Sequence, residues 1–597
     1  MAESYFDTDD ITKEYDRRIV RRILSYLKPY KSLVFITLAA LVISTLGELV
    51  IPLMLQRIID DGILVKNIDY LIYGCVIYLI LLAFVFVFTF VQTWTANLMT
   101  QRVLKDIRIG LYTKTISQST GFLSRHPVGR IVTRLTSDVQ TMDEFFTTVL
   151  VAFLKDIAIM AGTLVTMFIL SPNMALVVLI TLPPVFIATL VSRVKARDAF
   201  RRQRTASSKV YAYLAERLAG MQVVQLFRQE KKSLKEFREG NQEFLDANLA
   251  EMYVFATFRP LVEWFSTLTM AIVIVVGSKM ALSMSLSLGA LIAFISLVQM
   301  FFQPVTDIAE KYTMLQSAMA GGEKIFKLQD TNEHITDNVK QEESLQQDTV
   351  RGHVEFDNVK FAYKEGEDVL KGLTFSIKPG EMAAIVGYTG AGKTTIINVL
   401  TRLWDINSGE IRLDGTPVKN IALNNLRNSI MPVTQDVTLF SGTIEENISL
   451  GLDLSQEEII EAAKTVHAHE FISALPDGYK TVLSERAANI STGQRQLISF
   501  ARVIAHNPRV VILDEATSSI DTETERLIQL GIKRVLSGRT SFVIAHRLST
   551  IKDADRILVL SNGRLVEEGS HDELVEKDGI YSSLYKLQYS QESTTPP

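Results

Sequence analysis

The chain holds 597 residues, 47% of them hydrophobic, with 62 Lys and Arg set against 66 Asp and Glu. That length suits several domains, or a long membrane unit joined to a soluble one, and a net charge of -4 excludes a protein that holds nucleic acid mainly by electrostatics. A single cysteine, Cys75, excludes an internal disulfide and with it a disulfide framework.

Residues 1–31 are polar and carry Arg17, Arg18, Arg21, Arg22, Lys28 and Lys31, with no short apolar core before a small-residue cleavage site. They read as a cytoplasmic segment rather than a secretory signal. Apolar segments follow at about 32–56, 70–100, 145–170, 173–193, 257–282 and 286–306, inside a transmembrane domain expected over 32–329. A bilayer core of about 30 Å needs roughly 20 apolar residues in a helix, so each segment is long enough to span. The alternative is six buried helices of a soluble bundle, but soluble helices need a polar face. Tyr70–Thr100 and Ile157–Ser192 contain no Asp, Glu, Lys or Arg.

The connection carrying Asp60, Asp61, Lys66 and Asp69 is short and poor in Lys and Arg, and those at 171–173 and 283–288 carry no charge. Residues 101–141 and 194–251 are long and basic, so they lie in the cytoplasm, as do both termini and the C-terminal half. The expectation is a multi-pass protein of a prokaryotic cytoplasmic membrane. Apolar residues at helical spacing in the two long loops predict helical stalks.

Ionisable residues within or near the spans are Glu48, Lys155, Asp156, Arg259, Glu263 and Asp307. A charge at the bilayer centre costs roughly 2.5–3.5 kcal/mol on insertion scales, so such residues face a cavity or a partner. Arg259 and Glu263 are spaced to pair along one helix face. Glu48 stands about 24 Å above Ser32. Glu48, Glu263 and Asp307 are therefore candidates for a substrate path, with a polar contact between helices as the other account of Glu48. Phe84, Phe86, Phe88, Phe90, Trp94, Met300, Phe301 and Phe302 suit either an adaptable apolar binding surface or lipid contact.

A polar linker is expected over 330–352, then an α/β domain over 353–590 and a tail at 591–597. Its strands are "HVEFDNVKFAY", "EMAAIVG", "RVVILDE", "TSFVIAH" and "RILVLSNGRLVEEG"; those that are apolar throughout fit a buried parallel sheet. "GYTGAGKTT" (Gly387, Tyr388, Thr389, Gly390, Ala391, Gly392, Lys393, Thr394, Thr395) follows a strand and opens a helix, as a P-loop requires. Its glycines let backbone N–H groups wrap phosphates, and the helix N-terminus adds a favourable dipole. Lys393 would reach the β- and γ-phosphates of ATP, and the Thr394 hydroxyl would ligate Mg²⁺. "VVILDE" supplies Asp514 to hold Mg²⁺ through water and Glu515 as general base toward the attacking water.

Tyr363, the P-loop, Gln435 in "PVTQD", "ISTGQRQ", "ILDEATSSID" and His546 in "VIAHRLST" occur in the order of an ATP-binding cassette domain. With six spans and long cytoplasmic extensions before them, the chain resembles an exporter half-transporter of that superfamily from about residue 18 to 588. The resemblance implies a six-span α-helical membrane domain followed by an α/β P-loop nucleotide-binding domain. It implies that Tyr363 stacks on adenine and Gln435 ligates Mg²⁺. His546 would bind the γ-phosphate, and Asp521 would sit in a loop crossing to the other subunit. Coupling helices are expected near Thr136–Val139 and Leu218–Val224.

In this family each P-loop faces the other subunit's signature turn, so Ser491, Thr492, Gly493 and Gln494 would serve the ATP of a partner. The common pattern is Leu-Ser-Gly-Gly-Gln, and here Ile490 and Thr492 depart from it. Upstream, where the family often has Gly-Glu-Arg-Gly, the chain has Ser484, Glu485, Arg486 and Ala487. Glu515, His546 and Gln435 are nonetheless intact. That combination resembles the catalytically competent subunit of heterodimeric multidrug exporters; a homodimer tolerating Thr492 is the alternative. The resemblance implies transport of an amphipathic drug or lipid. An ATP-gated channel or a regulatory membrane ATPase is the other function class.

Overall fold

The computed structural model describes residues 17–337, 339–341, 344–364, 366–514, 522–544 and 551–592. These fall into two compact units: the chain up to Ile116 with Val128–Thr331, and Ser117–Pro127 with everything from Asn332 onward.

The first unit is helical. It comprises α1 (Arg17–Ser25), α2 (Lys31–Arg57), α3 (Ile68–Ile116), then, beyond α4 (Thr120–Arg125, which belongs to the second unit), α5 (Ala152–Leu170), α6 (Pro172–Ala219), α7 (Glu230–Leu282) and α8 (Leu288–Asp330). Among the described residues five helices are long and apolar enough to cross a membrane, and Pro172–Ala188 is a shorter apolar stretch at the start of α6. Ile72, Tyr73, Leu79, Ile80 and Phe86 of α3 are each more than half exposed, as an outward face set in hydrocarbon requires. The first span outruns its expected end at 56, because a π-helical turn carries it on through Ile58–Ile63. There Asp60 accepts from the Ser287 hydroxyl and from the Gly289 N–H, holding the entry to α8. The stalks are helical as expected. α6 and α7 run side by side, joined by Tyr213 to Glu236, Arg217 to Glu236 and Lys209 to Glu243.

The second unit is built on β1 (Val354–Ala362), β2 (Asp368–Ile377), β3 (Met382–Gly387), α9 (Lys393–Leu400), β4 (Ser408–Leu413), α10 (Leu423–Ser429), β5 (Ile430–Val433), α11 (Thr492–His506), β6 (Val510–Asp514), α12 (Thr522–Leu536), β7 (Thr540–Ile544), β8 (Arg556–Ser561) and β9 (Arg564–Gly569). The central sheet has the order β9-β8-β3-β7-β6-β5, parallel except for the β9 edge. Successive strand residues alternate between two cores. Ala384, Leu513 and Val543 face one, with Leu497 and Phe500 of α11. Ala383, Ile512 and Phe542 face the other, with Ile396 and Leu400 of α9. Both faces are covered, which explains why these strands read as unbroken apolar runs.

Part of the stretch expected to be a linker is bonded to this unit. Asp337 and Ser344 accept from the N–H groups of Leu423 and Ala422, capping α10, and the Thr336 carbonyl accepts from Arg402. The polarity of this segment thus serves backbone groups that would otherwise lack partners.

Candidate active site

β3 delivers the chain into the loop at Gly387 and α9 takes it up at Lys393. Gly390 and Gly392 have φ of +83° and +101°, a region that side chains disfavour. Gly387 is required by close approach instead, since a Cβ there would stand 2.3 Å from the Leu560 carbonyl oxygen. Lys393 Nζ donates to the carbonyls of Gly387 (2.6 Å) and Tyr388 (3.2 Å), arching over the loop. Burial lowers its pKa, and the charge of Asp514 opposes that shift. Tyr388, Thr389, Gly390 and Thr394 are exposed, whereas Ala391 and Thr395 are buried. Thr395 bonds the Tyr363 hydroxyl at 3.2 Å, so its side chain faces the aromatic residue rather than the loop mouth.

The sheet register explains how the remaining groups converge. Ile385 of β3 pairs with Ile544 of β7, which pairs with Asp514 of β6, and Leu513 pairs with Val433 of β5. The chain therefore leaves β3, β5, β6 and β7 at one edge, where parallel α/β sheets bind ligands. The P-loop and Asp514 stand there, with exposed Gln435 two residues past β5. Glu515, Asp521 and His546 lie outside the described residues. Thr394, Gln435 and Asp514 offer hydroxyl, amide and carboxylate oxygens, the hard donors that suit Mg²⁺ when phosphates complete the shell.

Tyr363 is held in place. Its hydroxyl accepts from Asn398 at 2.9 Å, and its ring meets Phe361 and Trp404 edge to face at 4.8 and 4.9 Å. The sequence reading missed Trp404 and the helix packed on it. A Cβ at Gly121 would stand 2.8 Å from the Trp404 ring, and Arg125 lies over that ring at 6.0 Å. Ser119 N–H donates to the Glu333 carbonyl at 2.7 Å, and Arg125 pairs with the Glu333 carboxylate. The segment of the first long loop that joins the nucleotide-binding unit is thus 117–127. Thr136–Val139, the expected coupling position, stays in the membrane unit, as does Leu218–Val224. At that second tip Leu218, Val223, Leu226 and Phe227 are exposed.

The signature turn opens α11. Ser491 is its N-cap, accepting from Gln494 N–H, while the Gln494 side chain accepts from Ser491 N–H, a reciprocal capping box. Thr492 is the first helical residue and exposed; Gly493 is buried.

In the membrane unit Glu48 Oε1 accepts from Lys155 Nζ at 2.7 Å. The next residue, Asp156, pairs with Lys311, which also lies 4.0 Å from Asp307. Glu48 is therefore engaged between helices, the contact weighed above against a place on the substrate path. Glu263 is exposed, and the Arg259 side chain lies outside the described residues. Phe301 and Phe302 are core residues, whereas Phe86, Phe90 and Trp94 are exposed.

Two family models match the chain: the ABC transporter transmembrane region over residues 34–305 and ABC transporter over 370–518. The chain is 38% identical to the uncharacterized ABC transporter ATP-binding protein YknV of Bacillus subtilis, covering 99% of this chain and 98% of that one. It is 35% identical to the ATP-dependent lipid A-core flippase of Dechloromonas aromatica, over 96% and 98%. It is 32% identical to the putative multidrug export ATP-binding/permease protein YgaD of Bacillus subtilis, over 96% and 99%.

Proposed function

The chain belongs to the ABC transporter family, with membrane region and ATPase cassette on one polypeptide, and on that premise we propose that it exports amphipathic compounds, drug-like or lipid-like, as one half of a heterodimer. It is a multi-pass membrane protein that binds ATP and couples its hydrolysis to transport, and half-transporters of this kind work as dimers. The observation that carries the chemistry is the single sheet edge bearing the P-loop, Asp514 and Gln435.

At that edge the loop N–H groups and Lys393 bind the β- and γ-phosphates, and Tyr363 stacks on the adenine. Thr394, Gln435 and, through water, Asp514 would hold Mg²⁺, which would supply charge neutralisation on the phosphates. Glu515 takes the proton of the attacking water, which His546 holds in line with the γ-phosphate. ATP binding closes two cassettes and opens the membrane cavity outward; hydrolysis resets it. Substrate chemistry is supported by relatives named as a lipid flippase and as a multidrug exporter. Intact catalytic residues favour a transporter over an ATP-gated channel or a regulatory ATPase. Substrate-stimulated ATPase in liposomes, coupled to uphill movement of a fluorescent amphiphile, tests that choice.

Heterodimer pairing rests on the signature turn, where Thr492 and Ala487 depart from the family pattern while Glu515 is retained. Glu515 then works on ATP clamped by a partner's complete signature, and Ser491–Gln494 covers the partner's slow site. The homodimer reading draws on one observation: Thr492 sits at a helical position, outside the residues with positive φ, so its side chain brings no backbone strain. Purified alone in nanodiscs, the chain is expected to hydrolyse ATP barely above its Glu515→Gln variant. Robust Glu515-dependent turnover by the lone chain would sink the heterodimer.

A further inference from the structure

Two departures from the family pattern, Ala487 and Thr492, meet on one side chain. Arg495 Nη2 donates to the Thr492 hydroxyl at 2.9 Å, and Arg495 Nη1 donates to the Ala487 carbonyl at 3.3 Å. Ala487 is fully buried and has φ of +51°, a left-handed conformation that alanine rarely adopts and glycine takes freely. Around it the loop is tightly cross-bonded. Ala487 N–H donates to the Ser484 carbonyl at 2.8 Å, and Ile490 N–H donates to the Ala487 carbonyl at 3.3 Å. Asn489 accepts from the Ser484 backbone and hydroxyl, both at 3.1 Å, and donates to the Val482 carbonyl at 3.2 Å.

We propose that Thr492 is a positioning residue: its hydroxyl orients Arg495 so that the guanidinium straps the left-handed Ala487 loop to the first turn of α11, setting where Ser491 and Gly493 stand. The proposal rests on the reading of residues 490–494 as a nucleotide-facing signature turn. A glycine at 492 offers no acceptor to Arg495, so the threonine is the counterpart of the alanine at 487 rather than a lesion. Strain that persists beside a functional turn has to be held by its surroundings, and the strap is the hold that these side chains provide. Restoring the family's glycine at 492 while Ala487 remains should therefore loosen the loop.

The test uses the full chain in nanodiscs. Hydrogen exchange of the amides of 484–490 is compared among the native chain, Thr492→Val (same shape, no hydroxyl), Thr492→Gly and Thr492→Ser (hydroxyl restored). Because the bond is exposed, the ordinary net magnitude of a protein hydrogen bond applies, and exchange should be faster by about threefold to tenfold in Val and Gly, with recovery in Ser. Native exchange in Thr492→Val overturns the strap, and this measurement needs no second subunit. The nucleotide consequence is read in the Glu515→Gln background, as the half-time of release of radiolabelled ATP with Mg²⁺ after a cold chase. Thr492→Val is expected to shorten it about threefold, and Thr492→Ser to recover it. If Ser491→Ala shortens the half-time and Thr492→Val does not, the positioning role fails while the signature reading stands. If Ser491→Ala has no effect either, the turn meets no nucleotide in the assembly that this chain forms by itself: the signature reading fails for that assembly, the nucleotide-positioning role fails with it, and the strap stands or falls on the hydrogen exchange.

Discussion

Replacing Lys155 with methionine leaves the Glu48 carboxylate with its partner removed, in the interior of a helical membrane unit. The pair is close, 2.7 Å, and its side chains are only 24% and 21% exposed. Removing one member of a buried ion pair costs about 3–5 kcal/mol, because the remaining charge is left uncompensated. With a fifth to a quarter of each side chain still accessible, a loss of about 2–3 kcal/mol is the better expectation here. Glu48→Gln together with Lys155→Met removes both charges, and such replacements come out near neutral. The double variant should therefore recover to within about 1 kcal/mol of the native chain. Asp156 pairs separately with Lys311 of α8, so the perturbation is confined to the α2–α5 contact. The assay is thermal unfolding of the purified full chain in detergent. A loss of 2–3 kcal/mol lowers the midpoint by on the order of 3–5 °C for a unit of this size. If Lys155→Met melts with the native chain, or if the double variant is as unstable as the single, the two groups are not coupled and the interhelical account of Glu48 is wrong.

Gly121→Ala drives a methyl group to 2.8 Å from the rigid Trp404 ring. Overpacking of this sort costs about 1–3 kcal/mol, and the nucleotide-binding unit should unfold at a correspondingly lower midpoint. An unchanged midpoint would show that α4 gives way without disturbing Trp404. In the transporter assembled with its partner, Lys393→Ala should cut ATP hydrolysis at least about 100-fold, measured as phosphate release, since the cation that stabilises the transferring phosphoryl group is lost. Ala487→Gly relieves the left-handed alanine and should stabilise the nucleotide-binding unit by about 0.5–1 kcal/mol, read as a higher unfolding midpoint; a lower midpoint would mean that the alanine methyl packs too well for its strain to matter.

Much of the architecture was open to a reading of residue patterns because it rests on local regularities. Uncharged apolar runs of about 20 residues read as membrane helices, and short ones bounded by turn residues read as buried strands. "GYTGAGKTT" specifies a phosphate loop because its glycines occupy positions where a Cβ is strained or would clash, and Lys393 arches over the same loop's carbonyls. The aromatic Tyr363 was found through its order among the motifs, but its partner Trp404 was not. An isolated tryptophan after a helix carries no periodic signal, and the glycine beneath it lies far away in sequence. The same limit applies to Ala487 and Thr492. Both stood out as departures from a pattern, yet nothing local indicated that Arg495 joins them.

The sequence alone thus determined the two-part construction, the helical stalks and the parallel sheet, and marked the candidate residues of a phosphate loop, since all of these follow from local patterns along a helix, strand or turn. Tertiary structure decided which groups of distant segments share a contact: Glu48 with Lys155, Lys311 with Asp156, Gly121 with Trp404, Asp337 with the N-terminus of α10. Those pairings depend on crossing geometry and side-chain reach between elements that composition cannot orient. That is why the sequence left Glu48 open between a transport path and a helix contact, and why its pairing with Lys155 became visible only in the tertiary structure.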